Sequence, residues 1–186
     1  MKARQLAVGG AWEFTPDVHT DERGMFVSPF DDAVFAEAVG TPLFAVAQAS
    51  ASVSRRGVVR GVHYARTLPG CAKYVHCSRG RVLDFVVDVR AGSPTFGEWD
   101  VVELAADTFR GVYFPPGLGH AFISVEDGST VCYLLSRGYL PADELAVSVL
   151  DPRIGLPVPP DAVLSARDSA ALTLDQAFAA GLLPEY

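Results

Sequence analysis

Short apolar runs cut by turn residues restrict this chain more than any other feature. From Phe44 to about Leu150 the pattern is strand after strand. Val58–His63, Lys73–Ser78, Arg81–Val89, Glu98–Leu104, Gly111–Phe114, Ala121–Val125 and Thr130–Leu135 each carry the β-branched and aromatic content of a strand. Arg79-Gly80 predicts a hairpin joining the second run to the third. Leu83–Val89 is mostly apolar, as expected for a strand covered on both faces. Strands at this spacing favour a barrel or sandwich over alternating strand–helix units.

The flanks differ. A first strand is expected near Leu6–Trp12 and a turn at Asp21-Glu22-Arg23-Gly24. A short helix from about Asp32 to Val39 follows, capped by Asp31 or Asp32 and ended by Gly40. The tail turns helical: Thr173-Leu174-Asp175-Gln176 fits a capping box, and Gly181 with Pro184 makes a stop. The 186 residues fit one domain spanning 1–186, long enough for a sizeable core. No repeat or linker interrupts it.

Several classes are disfavoured. Cys71, Cys77 and Cys132 are odd in number and lack CxxC spacing, against a disulfide framework or structural zinc. A net charge of −7 disfavours nonspecific nucleic-acid binding. No window approaches the roughly 18 apolar residues of a membrane span, and the N-terminus lacks a signal peptide's apolar region. The expectation is a cytoplasmic protein without a membrane or nucleic-acid partner.

A base, an ammonium and a phenol each sit on a strand-like segment: His63, Lys73 and Tyr133. Such a trio suits moving a proton on and off a carbon beside a carbonyl. The imidazole takes the proton, the ammonium holds the enolate oxygen and the phenol returns a proton. Taken singly, each has a plainer reading: a satisfied strand histidine, a snorkelling lysine, a core tyrosine. Strict alternation puts Gly61 and His63 on one face and Arg60 and Val62 on the other, unless a bulge intervenes. A base needs an orienting partner, and Asp168 is one candidate among many. His120, with His63 and His76, raises a metal reading. However, the paired histidines one residue apart with a nearby carboxylate are missing. Arg23, Arg60, Arg79 and Arg167 are candidates for gripping phosphate.

Together these pieces resemble the dTDP-4-dehydrorhamnose 3,5-epimerase family and its monofunctional relatives in antibiotic deoxysugar pathways. The likeness covers nearly the whole chain. It rests on Asp21-Glu-Arg-Gly24, Arg60-Gly-Val-His-Tyr64, Ala72-Lys73, Arg79-Gly80, Asp84–Arg90, Gly92-Ser-Pro-Thr-Phe-Gly97, Pro116-Gly-Leu-Gly-His-Ala-Phe122, Tyr133 and Asp151-Pro152, in that order.

The resemblance implies an all-β, cupin-like jelly roll with a few short peripheral helices and a C-terminal helix. It implies a homodimer without metal or organic cofactor, acting on a dTDP-4-keto-6-deoxyhexose. It assigns His63 as base, Asp168 as its partner, Lys73 to the enolate and Tyr133 as opposing acid. Arg60 and Arg23 match diphosphate-binding positions, with Arg23 supplied by the neighbouring subunit. Phe26, Gln48, Tyr139, Glu144 and Arg167 match positions that hold substrate, and His120 matches a sugar-side position. Departures fall at Gln48-Ala49-Ser50, Tyr133-Leu134 and Gly138-Tyr139, and lean toward the antibiotic-sugar branch. The rival readings are a metal-dependent cupin oxygenase or isomerase and a non-catalytic sugar-nucleotide binder.

Overall fold

The computed structural model describes residues 1–66 and 70–186. Two antiparallel sheets face each other as a jelly roll. In chain order the strands are β1 (Lys2–Gln5), β2 (Trp12–Thr15), β3 (Val18–Asp21), β4 (Gly24–Val27), β5 (Gln48–Ser54), β6 (Val59–Ala65), β7 (Lys73–Arg79), β8 (Arg81–Val87), β9 (Trp99–Ala105), β10 (Gly111–Phe114), β11 (Gly119–Ser124), β12 (Ser129–Leu135) and β13 (Glu144–Ala146). The six-stranded sheet runs β1-β2-β10-β7-β12-β5, and the five-stranded sheet runs β13-β6-β11-β8-β9. β3 and β4 form a separate hairpin around Asp21-Glu22-Arg23-Gly24.

Three apolar clusters follow from the alternation of side chains along these strands. Val75, Cys77, Val82, Val86, Phe122 and Val131 fill the space between the sheets. The outer face of the five-stranded sheet carries Val59, Phe85 and Ile123. It is covered by Val147, Ile154, Leu174 and Leu183 from the C-terminal segment. β8 is therefore buried on both faces, as its composition predicts. Outside the six-stranded sheet, Phe14 stacks on Phe35 and Tyr74 packs against both, edge-on to Phe35, while Tyr74 Oη donates to the Pro29 carbonyl at 2.7 Å.

The helices obey their caps. In α1 (Asp32–Val39) the Asp31 carboxylate accepts from the Val34 amide, and Gly40 closes the helix at φ +85°. α2 (Ala166–Ser169) starts at Ser165. α3 (Leu174–Ala179) has the expected capping box between Thr173 and Gln176.

Two expectations fail. Of the expected strand Leu6–Trp12 only Trp12 is in a strand, as the first residue of β2; residues 6–11 are the connection between β1 and β2, closed by Leu6 N–H to Ala11 O at 3.0 Å. Its Leu6, Val8 and Ala11 are apolar because they plug the space between the sheets. The hairpin at Arg79-Gly80 is also absent. β7 pairs with β10 and β12, whereas β8 pairs with β9 and β11. Gly80 instead carries the chain from one sheet to the other. Its φ is +71°, and a Cβ there would lie 2.9 Å from the Ser129 Cα. The turn signal marked a change of direction correctly but said nothing of pairing partners.

Candidate active site

The site begins with a bulge. His63 pairs with His120 across β6 and β11, but Phe122 pairs with Arg60. Three steps on β6 thus match two on β11. The surplus residue is accommodated at Gly61, whose φ is +127°. A Cβ on Gly61 would sit 2.5 Å from the Ala121 Cα and 2.6 Å from the His120 carbonyl, so only glycine fits. Arg60 and His63 consequently line the same cavity, where strict alternation would have opposed them.

His63 is held from behind. Its Nε2 lies 2.7 Å from Asp168 Oδ1. Asp168 is only 3% exposed, and its amide donates to Ser165 Oγ at the start of α2. Burial pushes this carboxyl up. The hydrogen bond and charge of His63, with Ser165 and Arg167, outweigh burial and leave it below the usual carboxylate value. Nε2 is thus the ring nitrogen that the carboxylate engages, and the His63 side chain also lines the cavity.

A second pair lies deeper. His120 Nε2 is 2.6 and 2.9 Å from the two oxygens of Asp84, a fully buried residue of β8. Burial pushes the Asp84 carboxyl up, and His120 and Lys73 offset only part of that. Phe114 and Tyr133 pack edge-on against the His120 ring, with centroids 4.6 and 5.9 Å away.

The facing sheet supplies the opposite wall. Lys73 on β7 pairs with Leu135 on β12, which places Tyr133 diagonally across from it. Lys73 is buried yet opens onto the cavity. Burial also pushes the Tyr133 phenol up, and its hydroxyl lies 3.1 Å from Ser52 Oγ. At the mouth, Gln48 Oε1 accepts from the Tyr139 amide at 2.8 Å, and Glu144 and Leu140 complete the rim. The cavity encloses about 240 Å³.

Residues 5–176 match the family model for dTDP-4-dehydrorhamnose 3,5-epimerase. The chain belongs to the dTDP-4-dehydrorhamnose 3,5-epimerase family. It is 50% identical over 186 residues to the dTDP-4-dehydrorhamnose 3,5-epimerase of Mycolicibacterium smegmatis (strain ATCC 700084 / mc(2)155), covering 100% of this chain and 92% of that one. The crystal structure of NovW, a 4-keto-6-deoxy sugar epimerase from the novobiocin cluster of Streptomyces spheroides, matches with a TM-score of 0.97 and 48% identity. That match covers 100% of this chain and 94% of NovW. ChmJ, a 3'-monoepimerase from Streptomyces bikiniensis in complex with dTDP-quinovose, matches with a TM-score of 0.92 and 48% identity over 97% of this chain and 92% of its own.

In this member of the epimerase family, His63, Lys73, Tyr133, Arg60, His120, Gln48, Tyr139 and Glu144 share one cavity. Arg167 lies in an adjoining groove on the far side of His63, and its guanidinium donates to the Glu144 carbonyl at 2.6 Å. Arg23 and Phe26 lie apart from the cavity, on the β3–β4 hairpin. There Arg23 is paired with Asp21 at 2.5 Å, and Phe26 is 70% exposed. Arg79 does not reach the cavity wall. Among the described residues no group of three His, Cys, Asp or Glu is placed to hold a metal. Sequence reasoning missed two polar groups. Asp84 sits inside an apolar run, where a lone carboxylate in a strand buried on both faces was the available signal. Ser52 carried no signal beyond its place two residues from Ser50.

Proposed function

We propose that this chain epimerises a dTDP-4-keto-6-deoxyhexose at carbon 3, carbon 5 or both, within deoxysugar biosynthesis of the antibiotic or rhamnose type. One observation carries the reading. His63, gripped by Asp168 at 2.7 Å, opens onto the same cavity as Lys73 and Tyr133 from the facing sheet.

Carbons 3 and 5 of such a sugar flank the 4-keto group, so removing either proton gives an enolate. His63 takes the proton through its other nitrogen, and Asp168 holds the ring and stabilises the imidazolium. Lys73 meets the developing enolate oxygen as a fixed cation in a wall that excludes water, a contribution of roughly 10²–10³-fold for such a donor. Tyr133 reaches the sugar from the sheet opposite His63, so a proton it returns arrives on the other face and inverts the centre. His120 borders the sugar, anchored by Asp84. Arg60 faces the diphosphate, and Gln48, Tyr139, Glu144 and Arg167 hold the nucleotide end. This remote binding orients the reacting carbon.

In this reading the chain is a single domain of the cytoplasm and works as a homodimer. Arg23 and Phe26, exposed on their hairpin, reach the second subunit's cavity. Proton transfer alone completes the reaction, so no cofactor is required. The bound dTDP-quinovose of ChmJ supports the class of substrate.

The test is incubation with a dTDP-4-keto-6-deoxyhexose in heavy water, followed by NMR. Deuterium should enter carbon 3, carbon 5 or both, with inverted configuration. A fully folded protein that catalyses no uptake at either carbon would overturn the reading.

A further inference from the structure

Ser52 lies within β5, an edge strand of the six-stranded sheet. Its side chain follows those of Gln48 and Ser50 on the inward side, as the alternating burial of β5 shows. Unlike those two it forms no part of the cavity wall. It stands behind Tyr133, with its Oγ 3.1 Å from the phenol oxygen. Among the described residues this is the phenol's one hydrogen-bond partner.

Two hydroxyls facing each other share a single bond, and its direction decides what Tyr133 can do. If the phenol donates to Ser52, its proton is spent on the protein. If Ser52 donates, the Tyr133 proton is free to point into the cavity. We infer that Ser52 is the donor and acts as a positioning residue for Tyr133, aiming its proton at the sugar and stabilising the phenolate left behind. This rests on the role proposed above for Tyr133.

The chemistry requires such a group. When Tyr133 protonates the enolate carbon, a C–H bond forms and the phenol O–H bond breaks. The electron pair stays on the tyrosine oxygen, and the enolate returns to a ketone. His63 still carries the proton taken from the substrate. Solvent restores one proton to Tyr133 and removes one from His63, and the proton of Ser52 never leaves it. Burial makes the phenol hold its proton harder, and Asp84 adds to that. Ser52 and the more distant Arg60 act against them. A hydroxyl donating to the phenolate is the closest of these compensations, and hydrogen bonds to charged groups are the stronger class.

The experiment follows inversion and deuterium uptake together in Ser52→Ala, Ser52→Cys and Ser52→Thr. Ser52→Ala should slow inversion roughly 10- to 100-fold, the range expected for losing one donor to a developing anion. Uptake with retained configuration should continue near the wild-type rate, because His63, Asp168 and Lys73 are untouched. The Michaelis constant should stay close to wild type. Ser52→Thr keeps the hydroxyl and should recover most of the inversion. Ser52→Cys, a weaker donor of similar shape, should fall between, and it carries the test if the alanine variant does not fold. On a Tyr133→Phe background, Ser52→Ala should add nothing further.

Inversion at the wild-type rate in folded Ser52→Ala would overturn the inference, and so would an equal fall in inversion and uptake. The two levels separate cleanly. If Tyr133→Phe itself keeps full inversion, the proposed role of Tyr133 fails. If Tyr133→Phe loses inversion while Ser52→Ala keeps it, only the role of Ser52 fails.

Discussion

His63 and His120 are direct partners across β6 and β11, yet each is anchored by a carboxylate from a different part of the fold. Asp168 reaches His63 from α2 outside the five-stranded sheet, and Asp84 reaches His120 from β8 between the sheets. The first carboxyl is held below its usual range and the second above it. The two carboxyls that anchor neighbouring imidazoles are thus shifted in opposite directions.

For the outer pair, His63→Ala should abolish deuterium uptake at both carbons while the protein stays folded. The variant should also tolerate acid less well. The folded-state value of Asp168 lies below its unfolded one. Its stabilising contribution is thus complete above the unfolded carboxylate value, near 3.9, and is lost as pH falls through the lower folded value. Without His63, which supplies the largest of the lowering contributions, that protection should weaken. Urea unfolding between about pH 2 and pH 6 checks this: the wild type should keep its stability to lower pH than His63→Ala.

For the inner pair, Asp84→Ala leaves the buried His120 nitrogen without a partner and should cost roughly 1–3 kcal/mol at neutral pH. Asp84→Asn keeps an acceptor and removes a buried charge, so its cost should be smaller. The folded value of Asp84 is raised, so its favourable contribution is full below the unfolded value and is lost as pH rises through the folded one. The asparagine variant should lack this pH dependence. Parallel urea titrations of both variants read out each point.

Arg60 lines the cavity with few obligations to the fold: among the described residues it donates to Ser54 Oγ at 3.2 Å and to the Val53 carbonyl at 3.5 Å. Arg60→Ala should raise the Michaelis constant while moving the unfolding midpoint little. Arg23→Ala should behave likewise. If Arg23 completes the second subunit's cavity as proposed, mixing Arg23→Ala with His63→Ala should recover activity in heterodimers, because one of the two hybrid sites would then be whole. No recovery in confirmed heterodimers would count against a shared site.

Gly61→Ala places a methyl group inside the Ala121 backbone at a positive φ. Both effects push in the same direction, and the loss should exceed about 2 kcal/mol. Activity should fall further than stability, because the bulge that aims Arg60 and His63 must move. Thermal unfolding and turnover measured on one preparation separate the two losses.

Exhaustive chelation should leave turnover unchanged, because every step assigned above is a proton transfer between side chains and substrate. Activity lost to EDTA and restored by one divalent ion would favour the metal-dependent reading instead.

Much of the architecture was legible because turn residues and apolar runs carry it locally. Gly111–Phe114 is a strand at both of its predicted ends, and α1 and the capping box of α3 form where their cap residues predict. What failed was non-local. Arg79-Gly80 marks a turn, but nothing nearby says that β7 and β8 enter different sheets. β5, with the sequence Gln-Ala-Ser-Ala-Ser-Val-Ser, is small and polar, and its strand identity comes from pairing with β12. The meeting of Arg60 and His63 depends on a bulge that alternation could only allow for. Asp168 lies 105 residues from His63, so local pattern offered it merely as one carboxylate among many.

That separation has a consequence in chain order. All thirteen strands among the described residues precede α2 in the chain, and Asp168 arrives only with the segment that closes over the outer face of the five-stranded sheet. In chain order, every residue that lines the cavity precedes the carboxylate that pairs with His63. The tail thus works as the last fastening as well as a cover. A chain ending before α2 would keep every residue that lines the cavity but lack both Asp168, the partner of His63, and Arg167 of the adjoining groove, so the closing segment completes the surroundings of His63 as well as covering the sheet.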